Sequence, residues 1–336
     1  MQAGSKMFNV FSETKKILIL CIIAALFISC EQSVSPKNGF SEKYVLYCVL
    51  NSDTTFQKAY LSKSYDSDTY NPLDNTTDPS VEGAQIKLII NGSQEIALQE
   101  GLTTRTDTSR YTTPLKYYYT NGYKPADLDS VRIEAVLSNG LVLRSSLAIS
   151  PVSDLYKGNM ASILICNPSL SAFEIKWKYW MDKYNTSDYF YYARLDLIYA
   201  KADAPSVKYK ISFPQYFYKK EDLFVPVYQG VTNSPSLSIY TDSFQRILEK
   251  ISEGDENKSN YIIYDAVHTL YVLEKNLANY ISAEAIYEDE FSARIDAADI
   301  SNIENGLGLF GAFAKRKVTV RIAASYIDNF GYLTAY

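Results

Sequence analysis

The chain holds a single histidine, His268, among 336 residues. Any imidazole base has to be that residue, and histidine-clustered metal sites are excluded. A Ser-His or Cys-His machine needs a nucleophile and an orienting acid held against the ring. The local sequence, Ala266-Val267-His268-Thr269, supplies neither. At an expected strand-to-helix transition, His268 reads as a structural or capping residue. Glycoside hydrolysis needs two carboxyl groups at a set separation. The densest acidic run, Glu288-Asp289-Glu290, reads as a solvated loop. The stretch DSDTYNPLDNTTD, 66–78, offers hard oxygen ligands of the kind Ca²⁺ takes, but without the spacing and glycine of an EF-hand. It reads as a polar loop, part of a longer one from Tyr65 to Ser80. No glycine-rich phosphate loop precedes a helix. No catalytic residue, metal or cofactor is assigned, and the expectation is a protein that binds without catalysing.

The residue type in excess is tyrosine, with 30 in the chain. Tyrosine favours strands and carries an apolar ring with a polar tip, which suits it to interfaces. Three clusters stand out: Tyr117-Tyr118-Tyr119 with Tyr123, Tyr189 to Tyr192, and Tyr216-Phe217-Tyr218. Consecutive residues of a strand point to opposite faces, so each cluster has to place some rings outward. Tyr117, Tyr118, Tyr119, Tyr123, Tyr191, Tyr216 and Tyr218 are the candidate recognition surface. Core and cross-strand packing is the competing reading for each ring. A net charge of −5 and a pI near 5.2 lack the basic balance of a nucleic-acid protein.

The cysteines divide by position. Lys15 and Lys16 precede an apolar run from Ile17 to Ile28 that ends at Ser29-Cys30. The run is too short for a bilayer-spanning helix, which needs about 20 residues, and reads as a secretory signal. Leu26-Phe27-Ile28-Ser29-Cys30 resembles a bacterial lipobox, in which the cysteine becomes the lipidated first residue of the mature chain; Phe27 stands where that pattern usually has leucine. The resemblance implies a signal peptide over 1–29, acylation at Cys30, and a polar tether over 30–43. Cys21 leaves with the signal. Cys48 and Cys166 lie in apolar runs and read as buried thiols, with a disulfide as the alternative.

From Tyr44 the pattern is β. YVLYCVL alternates as a buried strand, and a second strand is expected around Gln57 to Ser62. Asn91-Gly92 and Asn139-Gly140 each sit between β-prone arms, the signature of two-residue hairpins. This predicts an Ig-like or transthyretin-like β-sandwich over 44–150. A second β-rich domain is expected over 151–336. It opens with the alternating SAFEIKWKYW and ends in the strand KVTVRIAASY. It carries a helix near 242–253, capped by Asp242 with Gln245 three residues on. A second helix is expected over 269–283, on the stripe Leu270, Leu273, Leu277 and Ile281.

The stretch SNIENGLGLFGAFA, 301–314, is the most distinctive. With Cys30-Glu31, NSDTTF (51–56), VEGAQIKLIINGS (81–93) and YVLEKNLANY (271–280) in order before it, it resembles a family of Bacteroidota outer-membrane lipoproteins, catalogued as a domain of unknown function and numbered forty-two forty-nine. The resemblance covers most of 30–320. Asn302, Glu304, Asn305, Gly306, Gly308 and Gly311 form its signature loop, read here as a turn that needs glycine for its backbone. The family's genes commonly sit beside TonB-dependent receptors. The resemblance therefore implies a lipid-anchored outer-membrane accessory or binding protein, on the cell surface or the periplasmic face. Its partner would be such a receptor or another barrel, with a glycan or peptide as ligand. A free-standing surface adhesion module is the alternative, and an envelope glycoside hydrolase the more distant one.

Overall fold

The structure, a computed structural model, describes residues 40–66, 71, 74–156, 163–164, 171–180, 184–286 and 300–336. The expected signal, Cys30, Cys166, Glu288-Asp289-Glu290 and part of the 66–78 loop lie outside them.

The fold is mainly β. The first half carries β1 (Tyr44–Asn51), β2 (Gln57–Lys63), β3 (Gln85–Ile90), β4 (Gln94–Ala97), β5 (Gln99–Thr103), β6 (Leu115–Thr120), β7 (Ser130–Val136) and β8 (Val142–Ala148). The second half begins with the short β9 (Leu155–Tyr156), β10 (Ile163–Leu164), β11 (Ala172–Lys176) and β12 (Lys178–Tyr179). Then come β13 (Phe190–Lys201), β14 (Tyr209–Ser212), β15 (Tyr216–Lys220), β16 (Leu223–Val227) and β17 (Ser236–Tyr240). Helix α1 (Thr241–Ile251), β18 (Tyr261–Leu273), α2 (Lys275–Ile286), β19 (Leu307–Ile322), α3 (Ala324–Asn329) and β20 (Leu333–Thr334) complete the chain.

The expected sandwich forms from two sheets. One is β4-β3-β7-β8; the other is the end of a larger sheet ordered β14-β13-β18-β19-β1-β2-β6-β5. Between them lies one hydrophobic core, with Leu46, Cys48, Leu50, Ala59 and Leu61 facing Ile86, Leu88, Val131, Ile133 and Leu143. A second core gathers Trp177, Tyr191, Leu195, Leu197, Phe244, Leu248, Ile263 and Leu270 from the second half. The two cores thus divide roughly where sequence placed a boundary at residue 150. The backbone does not. The larger sheet takes strands from both halves, and Ile303, Phe310 and Ala312 complete the first core from the far end of the chain.

One strand makes this continuity. The first part of β19, Leu307–Phe313, pairs parallel with Val45–Asn51 of β1. Its later part, Phe313–Val320, pairs antiparallel with Ala266–Leu273 of β18. β19 therefore changes neighbour at Phe313 and joins the two regions of sheet.

The local expectations met mixed outcomes. Asn91 (φ 50°) and Gly92 (φ 76°) both turn left-handed, as a type I′ hairpin requires. At the second hairpin only Gly140 does (φ 82°). Its N–H donates to Leu137 O at 2.9 Å, and Leu137 N–H to Leu141 O at 2.9 Å, which gives a three-residue loop. Helix α1 buries Phe244, Ile247, Leu248 and Ile251 as expected, and Gly254 (φ 85°) lies past its end. Asp242 does not cap it. The N-cap position is Tyr240, without a side-chain cap bond, and Asp242 accepts from Arg246 Nε at 2.9 Å one turn on. The helix expected over 269–283 starts later: Thr269–Leu273 belong to β18, and α2 begins at Lys275. The expected terminal strand is longer than KVTVRIAASY suggests and stops at Ile322, followed by α3 and β20. Among the described residues no helix is long and apolar enough to cross a membrane.

Candidate functional site

The candidate tyrosines separate by strand parity. β6 alternates, so Tyr118 points into the sandwich core while Tyr117 and Tyr119 point to the other face. The Tyr118 hydroxyl is 3.0 Å from Val81 O and 3.1 Å from Glu100 Oε1, and accepts from Ala84 N–H at 3.2 Å. Burial pushes its phenol up to about 12. Tyr123 is also buried and donates to Asp129 Oδ2 at 2.9 Å. Tyr191 is fully buried, edge-on to Trp177 with its hydroxyl donating to Thr186 O at 2.8 Å. These three rings are core residues with satisfied hydroxyls, so they leave the candidate surface.

Tyr117 and Tyr119 belong to a larger row that local sequence reading missed. Tyr47 of β1 stands opposite Tyr60 of β2 in the antiparallel ladder. The Tyr60 ring is 6.3 Å from Tyr117, Tyr117 is 5.6 Å from Tyr119, and Tyr119 is 5.6 Å from Phe56. At the other end Tyr280 of α2 meets Tyr47 edge-on at 6.3 Å. Four rings therefore run across three strands on the face opposite the sandwich core, extended by Phe56 just before β2 and by Tyr280 of α2. Lys58 lies over this row, 5.1 Å from the Phe56 ring and 5.3 Å from Tyr117. Tyr47 and Tyr60 are 38% and 36% exposed, so these rings are open to an incoming surface. The missed signal was parity: both occupy the outward positions of strands whose alternate residues are apolar.

Tyr216 and Tyr218 are exposed, but on a separate hairpin, β15–β16. Tyr216 meets Tyr240 edge-on at 6.0 Å, and Leu223 and Phe224 beside the turn are exposed too.

The glycine-rich stretch is a structural joint. Asn302 folds back on β19: its Oδ1 accepts from Phe310 N–H at 2.8 Å and its Nδ2 donates to Phe310 O at 2.7 Å, as a neighbouring strand would. Glu304 pairs its backbone with Arg144 of β8, and Asn305, itself left-handed (φ 62°), donates to Val142 O at 3.0 Å. A Cβ on Gly306 would meet Tyr44 O at 2.8 Å, and one on Gly308 (φ 118°) would meet Leu46 O at 2.1 Å. At Gly311 it would meet Leu277 of α2 at 2.9 Å. The signature residues are thus occupied in letting β19 lie against β1, β8 and α2.

His268 sits in the middle of β18, with Leu195 and Val318 as strand neighbours, and not at a helix start. It is 1% exposed, its ring centre 5.8 Å from that of Trp177, and neither ring nitrogen has a protein hydrogen-bond partner. Burial brings its pKa down to about 4, so the ring is neutral near neutrality and sealed from solvent. In the 66–78 loop, Asp78 serves as a structural anchor. Burial raises its pKa, but bonds from Ser80, Thr113 and Arg105 outweigh this and bring it down to about 2. Among the described residues no group of three His, Cys, Asp or Glu is placed to hold a metal. Cys48 is a free buried thiol, pushed up to about 12 by burial.

No protein-family model and no curated protein matches the chain.

Proposed function

We propose that this chain is a non-enzymatic lipoprotein of the outer membrane, anchored through Cys30, that recognises a partner through the open tyrosine row. The partner class is a TonB-dependent receptor or another outer-membrane barrel, as the resemblance of the 301–314 stretch implies. The observation that carries the recognition reading is the run Tyr280, Tyr47, Tyr60, Tyr117, Tyr119 and Phe56, with four of its rings on adjoining strands. Tyrosine contributes wide contact area at low entropic cost, because only two torsions have to be fixed. Lys58 adds a cation above otherwise neutral rings. Anchoring supports the same reading. Acyl chains contribute about 0.8 kcal/mol per buried CH₂, and more than one chain is needed for stable attachment.

Extraction of native membranes in mild detergent, followed by purification on a tag at the C-terminus, tests this. A barrel protein recovered in fixed proportion, and lost on Tyr60→Ala with Tyr117→Ala, is expected. Recovery of the chain alone overturns it in favour of a free-standing surface module.

A further inference from the structure

The larger sheet ends at β5, whose only strand neighbour among the described residues is β6, in the register Gln99↔Tyr119 to Thr103↔Leu115. Among the described residues nothing pairs with its other edge, which is left to present backbone N–H and C=O groups. Proteins usually blunt such an edge with lysine, proline, a bulge or a covering loop. β5 reads Gln99-Glu100-Gly101-Leu102-Thr103, without lysine or proline, and Leu102 is 65% exposed. The one acidic residue does not guard it, because Glu100 Oε1 accepts from Gly83 N–H at 2.6 Å and faces the Tyr118 hydroxyl.

Two features flank this edge on opposite faces of the sheet. On one face lies a groove of about 250 Å³, lined by Val81, Leu102 and Tyr118 with Glu82, Glu100 and Lys116 around them. Lys116 reaches Glu82 at 2.5 Å, so two carboxylates stand against one ammonium and the groove keeps a negative excess. On the other face, Gly101 carries no side chain because the Tyr117 ring lies over it; a Cβ there would be 2.9 Å from that ring. The tyrosine row therefore runs out to the edge.

We infer that β5 takes an added strand: an extended segment of the partner protein that continues the sheet and alternates apolar with basic residues. The alternation follows from strand geometry, since successive side chains of the segment face opposite sides. The segment's basic residues fall on the groove side, where a lysine or arginine reaches Glu82 with its methylenes along Leu102 and Val81. Residues on the other side lie against the Tyr117 ring across the gap at Gly101. The source of the segment in a barrel partner rests on the function proposed above; strand addition itself rests on the edge.

The test uses full-length chain in detergent and a fluorescein-labelled peptide, Thr-Val-Lys-Val-Ser-Val-Lys-Thr, blocked at both ends. Fluorescence anisotropy is expected to show binding that weakens about tenfold or more when the lysines become glutamates or the central valine becomes proline. Leu102→Lys is expected to weaken it similarly with the melting temperature unchanged. Hydrogen exchange should slow at 99–103 on binding. Equal binding of the proline peptide, protection elsewhere than β5, or no binding overturns the inference. So does a dimer of this chain that Leu102→Lys dissolves, which identifies a second copy as the occupant. If the peptide binds as expected and no barrel is recovered from membranes, the proposed function fails and strand addition stands. If a barrel is recovered equally with Leu102→Lys, the function stands and the edge is not its docking place.

Discussion

At the scale of single residues, the least replaceable position is Gly308. Its φ of 118° is one that side chains rarely adopt, and a methyl group there would lie 2.1 Å from Leu46 O. Gly308→Ala is expected to cost at least about 3 kcal/mol, read as a lower urea midpoint, because backbone strain and a clash with backbone add. Asn302→Ala leaves Phe310 N–H and C=O without their partners and is expected to cost about 2 kcal/mol. His268 contributes to acid sensitivity. Its folded pKa of about 4 lies below the ordinary 6.5, so the unfolded chain binds more protons between these values. Stability is then full above pH 6.5 and falls as pH drops towards 4, by at most about 3 kcal/mol at 1.36 kcal/mol per pH unit. Stability curves measured across pH 4–7 should show this fall, and His268→Leu should flatten it. An unchanged slope in that variant would place the acid sensitivity elsewhere.

Secondary-structure elements show which parts of the sequence carried their own instructions. β1, β2, the Asn91-Gly92 hairpin and α1 follow from alternation, turn residues and helical spacing within a dozen residues. The β18–α2 junction misled for a physical reason. Leu270 and Leu273 are buried by strand packing and Leu277 by helix packing, and together they imitate one helical stripe. The true boundary signal is Glu274, whose Oε2 accepts from the N–H groups of Asn276 at 2.9 Å and Leu277 at 3.3 Å. Glu274→Ala should lower stability by about 1 kcal/mol, as for loss of an N-cap, and speed hydrogen exchange in the first turn of α2. The tyrosine row was half legible. Tyr117 and Tyr119 announce themselves as a cluster, whereas Tyr47 and Tyr60 join only once strand order places β1, β2 and β6 side by side. The same local view put Tyr118, Tyr123 and Tyr191 on the surface, because adjacency in a strand gives opposite faces without saying which one is inside.

Across the whole molecule, the decisive contact joins β1 near the start of the described chain to β19 near its end. Such long-range parallel pairing leaves no local trace beyond the glycines and asparagines that relieve crowding at Gly306, Gly308 and Gly311. It sets the two larger cores on one continuous sheet, with the tyrosine row and the β5 edge at one end and Tyr209 of β14 at the other. If the tyrosine end is where a barrel protein docks, then proximity on cells has to be polarised along this sheet. The most direct measurement places the photo-crosslinking residue p-benzoylphenylalanine at Tyr60 in one strain and at Tyr209 in another. Both side chains are comparably open, at 36% and 43% exposure. Crosslinks to an integral outer-membrane barrel from position 60, with none from 209, are the expected result. Barrel crosslinks from position 209 alone, or from neither position, would contradict it.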